Sequence, residues 1–335
     1  MPVRLPTVVS FLILSVTFGC ASAPTPPELT WAIAIHGGAG TMDPDAPQEQ
    51  LRAYEDAMTR ALVLGKDMLA EGASALDVCE SVVRSLEDNP LFNAGKGAVF
   101  NEQGEHELDA SIMDGATLRC GAVAGVRTVK NPISLARKVM TDTRHVLLAG
   151  DGAEKFADVA GVARVDNRHF DTERRRRALD RLLQERQRTG ALVPADRRYD
   201  YGTVGCVVLD REGRLAAATS TGGMTAKKWG RVGDTPVIGA GNYADGFAAI
   251  SCTGTGEEFI RHGVARSVTA RMALAGESLA QAAGAVIHDV LKPDDGGLIA
   301  VDRDGNIATP FNSTGMYRGM ADSRGLFRVA IFQDR

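Results

Sequence analysis

Two β-sheets packed face to face and covered by helices are the layout most compatible with this sequence. Three observations support it. Strand-like segments stand at both ends of each half of the chain, paired segments of helical periodicity separate them, and 44% hydrophobic with 24% charged residues is the composition of an ordinary globular protein. At 335 residues the chain is long enough to bury a large core. Periodicity alone leaves other α/β layouts open.

Residues 31–35 read as the opening strand. Over 48–71, Leu51, Tyr54, Met58, Leu62 and Leu69 recur at helical steps. Ser74 with Asp77 is a capping arrangement for a second helix, which Asn89-Pro90 ends. Residues 107–113 and 121–128 read as strands, and Asn131-Pro132 opens another helix. Residues 203–209 and 214–220 form a hairpin around Glu212-Gly213. Further strands are expected near Val237, Ala249, Ile299, Ile307 and Val329, with helices over 257–275 and 278–291. There is no internal repeat or low-complexity tract.

The net charge of −4 gives no basic surface beyond the run Arg174 to Arg177. That run lies in a polar segment, 166–198, where acids alternate with bases, so it reads as a solvated helix and linker, and no nucleic-acid partner is expected. Arg4 followed by an apolar stretch over 8–18 suits a signal peptide and is too short to span a bilayer. Thr17-Phe18-Gly19-Cys20 resembles a lipidation site. Ala21-Ser22-Ala23 offers simple cleavage instead, but Pro24 disfavours it. The expectation is export to the periplasm with a lipid anchor at Cys20, residues 1–23 being the signal peptide. Cys79, Cys120, Cys206 and Cys252 are scattered without a C-x-x-C pair, which indicates neither zinc nor a disulfide framework, though one disulfide stays open. The six histidines form no H-E-x-x-H or similar cluster.

Chemistry concentrates in three turns rich in glycine and hydroxyls: Gly202-Thr203-Val204-Gly205, Thr219-Ser220-Thr221-Gly222-Gly223, and Cys252-Thr253-Gly254-Thr255-Gly256. Between the last two stand Arg231 and Asp234. A lone Thr203 is an ordinary β-branched strand residue, because a threonine hydroxyl attacks a carbonyl only with a base beside it. Cutting the Gly202–Thr203 bond would supply one, a free α-amine of pKa about 7.7–8.0 on the same residue. Glycine at 202 leaves room for the strained N→O acyl shift that such a cut requires. Arg231 can take a carboxylate bidentately and Asp234 an ammonium, although an Arg and an Asp so close together are ordinarily a surface ion pair.

Together with Ile35-His36-Gly37-Gly38-Ala39-Gly40, Asn89-Pro90-Leu91-Phe92-Asn93-Ala94-Gly95, Leu108-Asp109-Ala110-Ser111-Ile112-Met113-Asp114-Gly115 and Gly296-Gly297-Leu298-Ile299, these turns resemble the plant-type L-asparaginases and isoaspartyl peptidases. These are self-cleaving N-terminal-nucleophile hydrolases, and the likeness runs from Ile33 to Tyr317. Gly202, where the neighbouring glycosylasparaginases have Asp, favours the isoaspartyl branch. The resemblance implies an α+β fold, a four-layer αββα sandwich. It implies cleavage into an α subunit, 24–202, whose charged linker spans 166–202, and a β subunit, 203–335. L-asparagine and β-aspartyl dipeptides are the implied substrates. Thr203 is the implied nucleophile, Thr221 its hydroxyl partner, Thr253 and Gly254 the oxyanion donors, and Asn93 a neighbour of the scissile bond. The resemblance also assigns Arg231, Asp234 and Gly256, with Thr253 and Gly254, to substrate binding. Leu86, Glu87, Asn89, Phe92, Ala94 and Lys96 match positions whose backbone carbonyls bind a sodium ion in relatives, and the resemblance implies that cleaved protomers pair as dimers. One departure is Tyr201, where relatives usually have His, which bears on the rate of self-cleavage.

Three other readings compete. Gly239-Ala240-Gly241-Asn242-Tyr243-Ala244 fits a dinucleotide fingerprint, but 245–251 reads as turn and strand where a helix is required. His36-Gly37-Gly38 suggests an esterase oxyanion motif without any G-x-S-x-G. An exported amino-acid-binding protein that never cleaves itself would keep the Arg231–Asp234 clamp.

Overall fold

The computed structural model describes Met1 and residues 30–40, 42–189 and 202–333. The signal-peptide and Cys20 readings and Tyr201 lie outside the described residues, as does most of the linker beyond Thr189. In chain order the elements are β1 (Ala32–Gly40), α1 (Gln48–Ala70), α2 (Ala75–Glu87), β2 (Leu108–Asp114), β3 (Cys120–Val126), α3 (Pro132–Asp142), β4 (Leu147–Ala149), α4 (Gly150–Ala160) and α5 (Glu173–Thr189). There follow β5 (Val204–Leu209), β6 (Leu215–Thr221), β7 (Asn242–Ala244), β8 (Ala248–Gly254), α6 (Gly256–His262), α7 (Val264–Ala275) and α8 (Leu279–Ala285). The chain closes with β9 (Gly296–Asp302), β10 (Ile307–Ala308), β11 (Gly315–Asp322) and β12 (Phe327–Ala330).

Eight strands form one sheet, in the order β12-β11-β1-β5-β6-β2-β3-β4, and four form the other, β10-β9-β8-β7. Alternation along each strand sorts side chains between faces. Ile33, Ile35, Val204, Cys206, Val208, Ala216 and Ala218 join Met58, Leu62, Val82 and Leu86 of α1 and α2 on the outer face of the large sheet. Ala32, Ala34, Val207, Ala217, Ala249, Ile299 and Val301 meet between the sheets. Ile250, Cys252, Leu298 and Ala300 face Val264, Val268, Ala282 and Val286 on the far side. Helix, sheet, sheet, helix is a four-layer αββα sandwich, the arrangement the resemblance implied.

Several elements differ from expectation. No strand forms at Val237; a turn closed by the Ile238–Asn242 bridge stands there, and β7 follows it. The helix expected over 257–275 breaks at Gly263, whose φ of 53° puts it in the left-handed region and ends α6. The helix expected to reach 291 ends as α8 at Ala285 and continues as one wide turn, Val286–Val290. β4, α4 and β11 were not anticipated. The Arg174–Arg177 run is not wholly solvated. Arg175 is 2% exposed with Nε donating to the Gly97 carbonyl at 2.8 Å, and Arg174 donates to Tyr54 Oη and to the Leu91 carbonyl. These contacts tie α5 to the loop after α2. The four described cysteines are free thiols. Among the described residues, no helix is long and apolar enough to cross a membrane.

Candidate active site

Thr203 is the residue immediately before β5, half-buried at the sheet's end. Its Oγ1 lies 3.1 Å from Thr221 Oγ1 at the end of β6. Antiparallel pairing of Val204 with Ser220 continues by one step to bring the two threonines opposite. Thr221 is buried and also accepts the Gly223 N–H at 3.1 Å, so the turn after β6 holds its oxygen in place.

The loop after α2 closes over the peptide that precedes Thr203. The Asn93 backbone N–H donates to the Gly202 carbonyl at 2.9 Å, while its own carbonyl accepts from Gly222 N at 2.9 Å. Asn93 Nδ2 donates to the Gly223 carbonyl at 2.7 Å and Oδ1 accepts from Val99 N at 2.9 Å. Asn93 thus meets the Gly202–Thr203 bond through its main chain, and its side chain fixes the turn that carries Thr221. A Cβ at residue 202 would stand 2.8 Å from Asn93 Cβ and 2.9 Å from its nitrogen, which explains the glycine.

From the opposite side, His36 Nδ1 donates to the Thr203 carbonyl at 2.9 Å, and Nε2 accepts from Ser251 Oγ at 2.9 Å. Ser251 in turn receives the Thr219 hydroxyl at 2.7 Å. Burial drives the imidazole pKa down to about 3, so His36 is a neutral strut with both nitrogens engaged.

Thr203, Thr221, Gly223, Arg231, Asp234 and Gly254 line one small cavity. The clamp is not an Arg231–Asp234 ion pair. Arg231 forms a bidentate pair with Glu257 of α6, Nε to Oε1 at 3.0 Å and Nη2 to Oε2 at 2.9 Å. Asp234 is buried with Oδ2 unpartnered among the described residues. Burial pushes its carboxyl up to about 7, against the pull of Arg231. Glu257 was missed in the sequence, although an acid in the first turn of a helix beside an Arg-bearing loop was the available signal. Gly256 lies against both Arg231 and Asp234, since a Cβ there would stand 2.8 Å from Arg231 Nη2 and 2.9 Å from Asp234 Oδ1.

Thr253 lies at the end of β8, buried, with Oγ1 accepting the Ala39 N–H at 3.2 Å. Gly254 reaches the cavity wall, whereas its neighbour Thr253 is not among the residues that line it, and a Cβ at 254 would meet the Asp295 carbonyl at 2.0 Å. The helix that follows is seven residues, α6, so the dipole acting at this end is that of a short helix.

In the loop expected to hold a cation, two of the carbonyls lie against glycines. A Cβ at Gly95, whose φ is +49°, would meet the Glu87 carbonyl at 2.3 Å, and one at Gly97 the Phe92 carbonyl at 2.2 Å. Leu86 and Asn89 carbonyls accept long turn bonds of 3.2 and 3.3 Å from Asn89 and Phe92, and Ala94 one of 3.3 Å from Gly97, each leaving a lone pair. Lys96 points away, donating through Nζ to the His169 carbonyl at 2.5 Å. Carbonyl oxygen is the donor type that a hard cation takes. Among the described residues, no cluster of His, Cys, Asp and Glu could hold a transition metal.

A four-layer αββα sandwich with a strand-initial threonine at a cavity shared with an Arg and a buried Asp defines the class of N-terminal-nucleophile hydrolases. The sequence profile described as asparaginase matches residues 29–331, and the chain belongs to that family. It is 48% identical over 311 residues to an isoaspartyl peptidase of Escherichia coli, covering 88% of this chain and 96% of that protein. A probable isoaspartyl peptidase/L-asparaginase 2 of Arabidopsis thaliana is 46% identical over 326 residues, 90% of this chain and 99% of the relative. A plant-type L-asparaginase of Pyrococcus furiosus is 43% identical over 85% of this chain and 94% of its own length.

Proposed function

We propose that this enzyme cleaves itself between Gly202 and Thr203 and then hydrolyses the side-chain amide of L-asparagine and the isopeptide bond of β-aspartyl dipeptides. The observation that carries this reading is the Thr203–Thr221 hydroxyl pair, 3.1 Å apart, on the wall of the cavity that Arg231 and Asp234 also line. In the cleaved enzyme the Thr203 α-amine takes the hydroxyl proton as Oγ1 attacks the β-carbonyl carbon. The Gly254 N–H and the Thr253 hydroxyl stabilise the oxyanion, each such donor being worth about 2.7–4 kcal/mol. Collapse releases ammonia or an amino acid, and water then frees L-aspartate from the Thr203 ester. Arg231 holds the α-carboxylate and Asp234 the α-ammonium.

The chain would then be divided into subunits 24–202 and 203–335 that form one domain. Carbonyls of Leu86, Glu87, Asn89, Phe92, Ala94 and Lys96 would hold a sodium ion, whose charge would steady the loop carrying Asn93. Pairing of cleaved protomers, export and lipidation at Cys20 belong to the same proposal, on the strength of the family resemblance and the N-terminal sequence. The test is aspartate release by the purified protein from L-asparagine and from a β-aspartyl dipeptide. Activity on either that vanishes in Thr203→Ala supports the reading, and activity surviving in Thr203→Ala overturns it.

A further inference from the structure

Self-cleavage poses a problem that the mature mechanism does not answer. Before the cut, the Thr203 nitrogen is part of a peptide bond and cannot act as a base. His36 cannot serve, because both ring nitrogens are committed and burial keeps it from taking a proton above about pH 3.

Across the inner face of the large sheet, three side chains stand in a row on adjacent strands. Thr203 precedes β5, Thr221 ends β6, and Asp109 on β2 pairs directly with Thr221. Leu108, Ala110 and Ile112 of β2 pack on the helical side, so Asp109 shares the inter-sheet face with Ser111 and Met113. Directly opposed residues have Cβ atoms about 4.5–5.5 Å apart. Asp109 is fully buried. Its Oδ1 accepts the Gly125 N–H at 2.8 Å, and its Oδ2 has no hydrogen-bond partner among the described residues. Lys227 is also buried, its Nζ donating to the Glu107 carbonyl at 2.8 Å and standing 4.0 Å from Glu107 Oε2, and its charge reaches Asp109 electrostatically as the cation that favours a buried carboxylate there. Nothing in the mature mechanism uses either residue.

We infer that Asp109 is the proton acceptor for self-cleavage, acting on Thr203 through Thr221, with Lys227 holding it ionised. This rests on the reading that Thr203 cuts its own peptide bond. The Thr221 and Asp109 side chains do not hydrogen-bond directly, so the link takes one water, the usual partner of a buried oxygen without a protein donor. The Thr203 hydroxyl proton passes to Thr221 Oγ1, whose own proton passes across the water to Asp109 Oδ2. Thr203 Oγ1 bonds to the Gly202 carbonyl carbon, and the carbonyl π electrons move onto the oxygen, which the Asn93 N–H stabilises. When the C–N bond breaks, the proton returns by the same row to the departing Thr203 nitrogen. A second water hydrolyses the ester and leaves a Gly202 carboxylate and a free Thr203.

The charged groups acting on Asp109 among the described residues are Lys227 and Arg231, which favour the carboxylate, and Glu107 and Asp234, which oppose it; Glu257 stands beyond them, paired with Arg231. Burial outweighs these cations and raises the Asp109 carboxyl above its ordinary range. Because a base must be unprotonated, the self-cleavage rate should fall as pH drops through that raised value.

The experiment follows cleavage of freshly purified, uncut protein by intact mass, from pH 4 to 9. Asp109→Asn, folded by circular dichroism, should cleave about 100-fold or more slowly than wild type and lose the acid limb, general bases contributing about 10²–10⁴. Lys227→Met keeps Asp109 but removes its cation, so its limb should move to higher pH, which a merely structural role would not produce. Should Asp109→Asn fail to fold, the direction of the Lys227→Met shift decides. Wild-type rates and limb in Asp109→Asn, an unmoved limb in Lys227→Met, or loss of the limb in Asp234→Asn instead, would overturn the inference. Failure of the wild type to cleave at all would instead sink the self-cleavage reading beneath it.

Discussion

Asp234 should make substrate binding, and not chemistry, sensitive to acid. Its carboxyl is buried, has an unpartnered oxygen and sits near pH 7, whereas the α-ammonium of asparagine requires a carboxylate opposite it. At pH 7 about half the free enzyme is competent, and at pH 5 about one molecule in a hundred, since each unit of pH is worth about 1.4 kcal/mol. KM for L-asparagine should therefore rise about fivefold from pH 7 to pH 6 and about ninefold from pH 6 to pH 5, about 50-fold in all. Protonation of the Thr203 amine lowers kcat and kcat/KM together and leaves KM alone, so KM isolates Asp234. It follows that the acid limb of kcat/KM carries two groups, the Thr203 amine and the Asp234 carboxyl. The assay is initial-rate kinetics on the cleaved enzyme across pH 5–8, with Asp234→Asn as control. The control should have a raised KM with no acid dependence. A flat wild-type KM, or the same slope in Asp234→Asn, would refute the reasoning.

Arg231→Ala should still self-cleave but lose roughly 2–5 kcal/mol in kcat/KM on L-asparagine, about 30- to 5,000-fold, as expected for one partner of a desolvated charge pair; an unchanged kcat/KM would place the carboxylate elsewhere. Gly256→Ala puts a methyl 2.8 Å from Arg231 Nη2 and should cost about 100-fold in kcat/KM with self-cleavage intact, which kinetics on the cut protein would show. His36 has a folded pKa of about 3 against 6.5 unfolded, so acidification from 6.5 protonates only the unfolded chain. Wild type should therefore lose about 1.4 kcal/mol per pH unit from this residue between 6.5 and 3, relative to His36→Gln, as read by urea unfolding at several pH values. The kcat limb set by the Thr203 amine should stay where it is in that variant.

What the sequence made legible was local. Ser74 does cap α2, its side chain accepting from Asp77 N, and the hairpin around Glu212-Gly213 forms because alternation and turn chemistry agree over a few residues. The glycine-rich turns marked the site for a related reason, since at Gly202, Gly254 and Gly256 a Cβ would stand less than 3 Å from a neighbouring atom. What stayed hidden depends on distant partners. β11, with two glycines and an arginine, has a weak strand pattern and exists because β1 and β12 pair with its two edges. Arg175 looked solvated because burial of a guanidinium needs the Gly97 carbonyl, 78 residues away. Glu257 as the partner of Arg231, and the placement of Asp109 beside Thr221, are likewise products of the assembled sheets.

Intact mass of the purified protein tests the central claim most directly. Two fragments dividing at Gly202–Thr203 are predicted for the wild type, and one uncut, inactive chain for Thr203→Ala. A wild-type protein that hydrolyses L-asparagine as a single uncut chain would contradict the account, because Thr203 would then have no free amine to activate it.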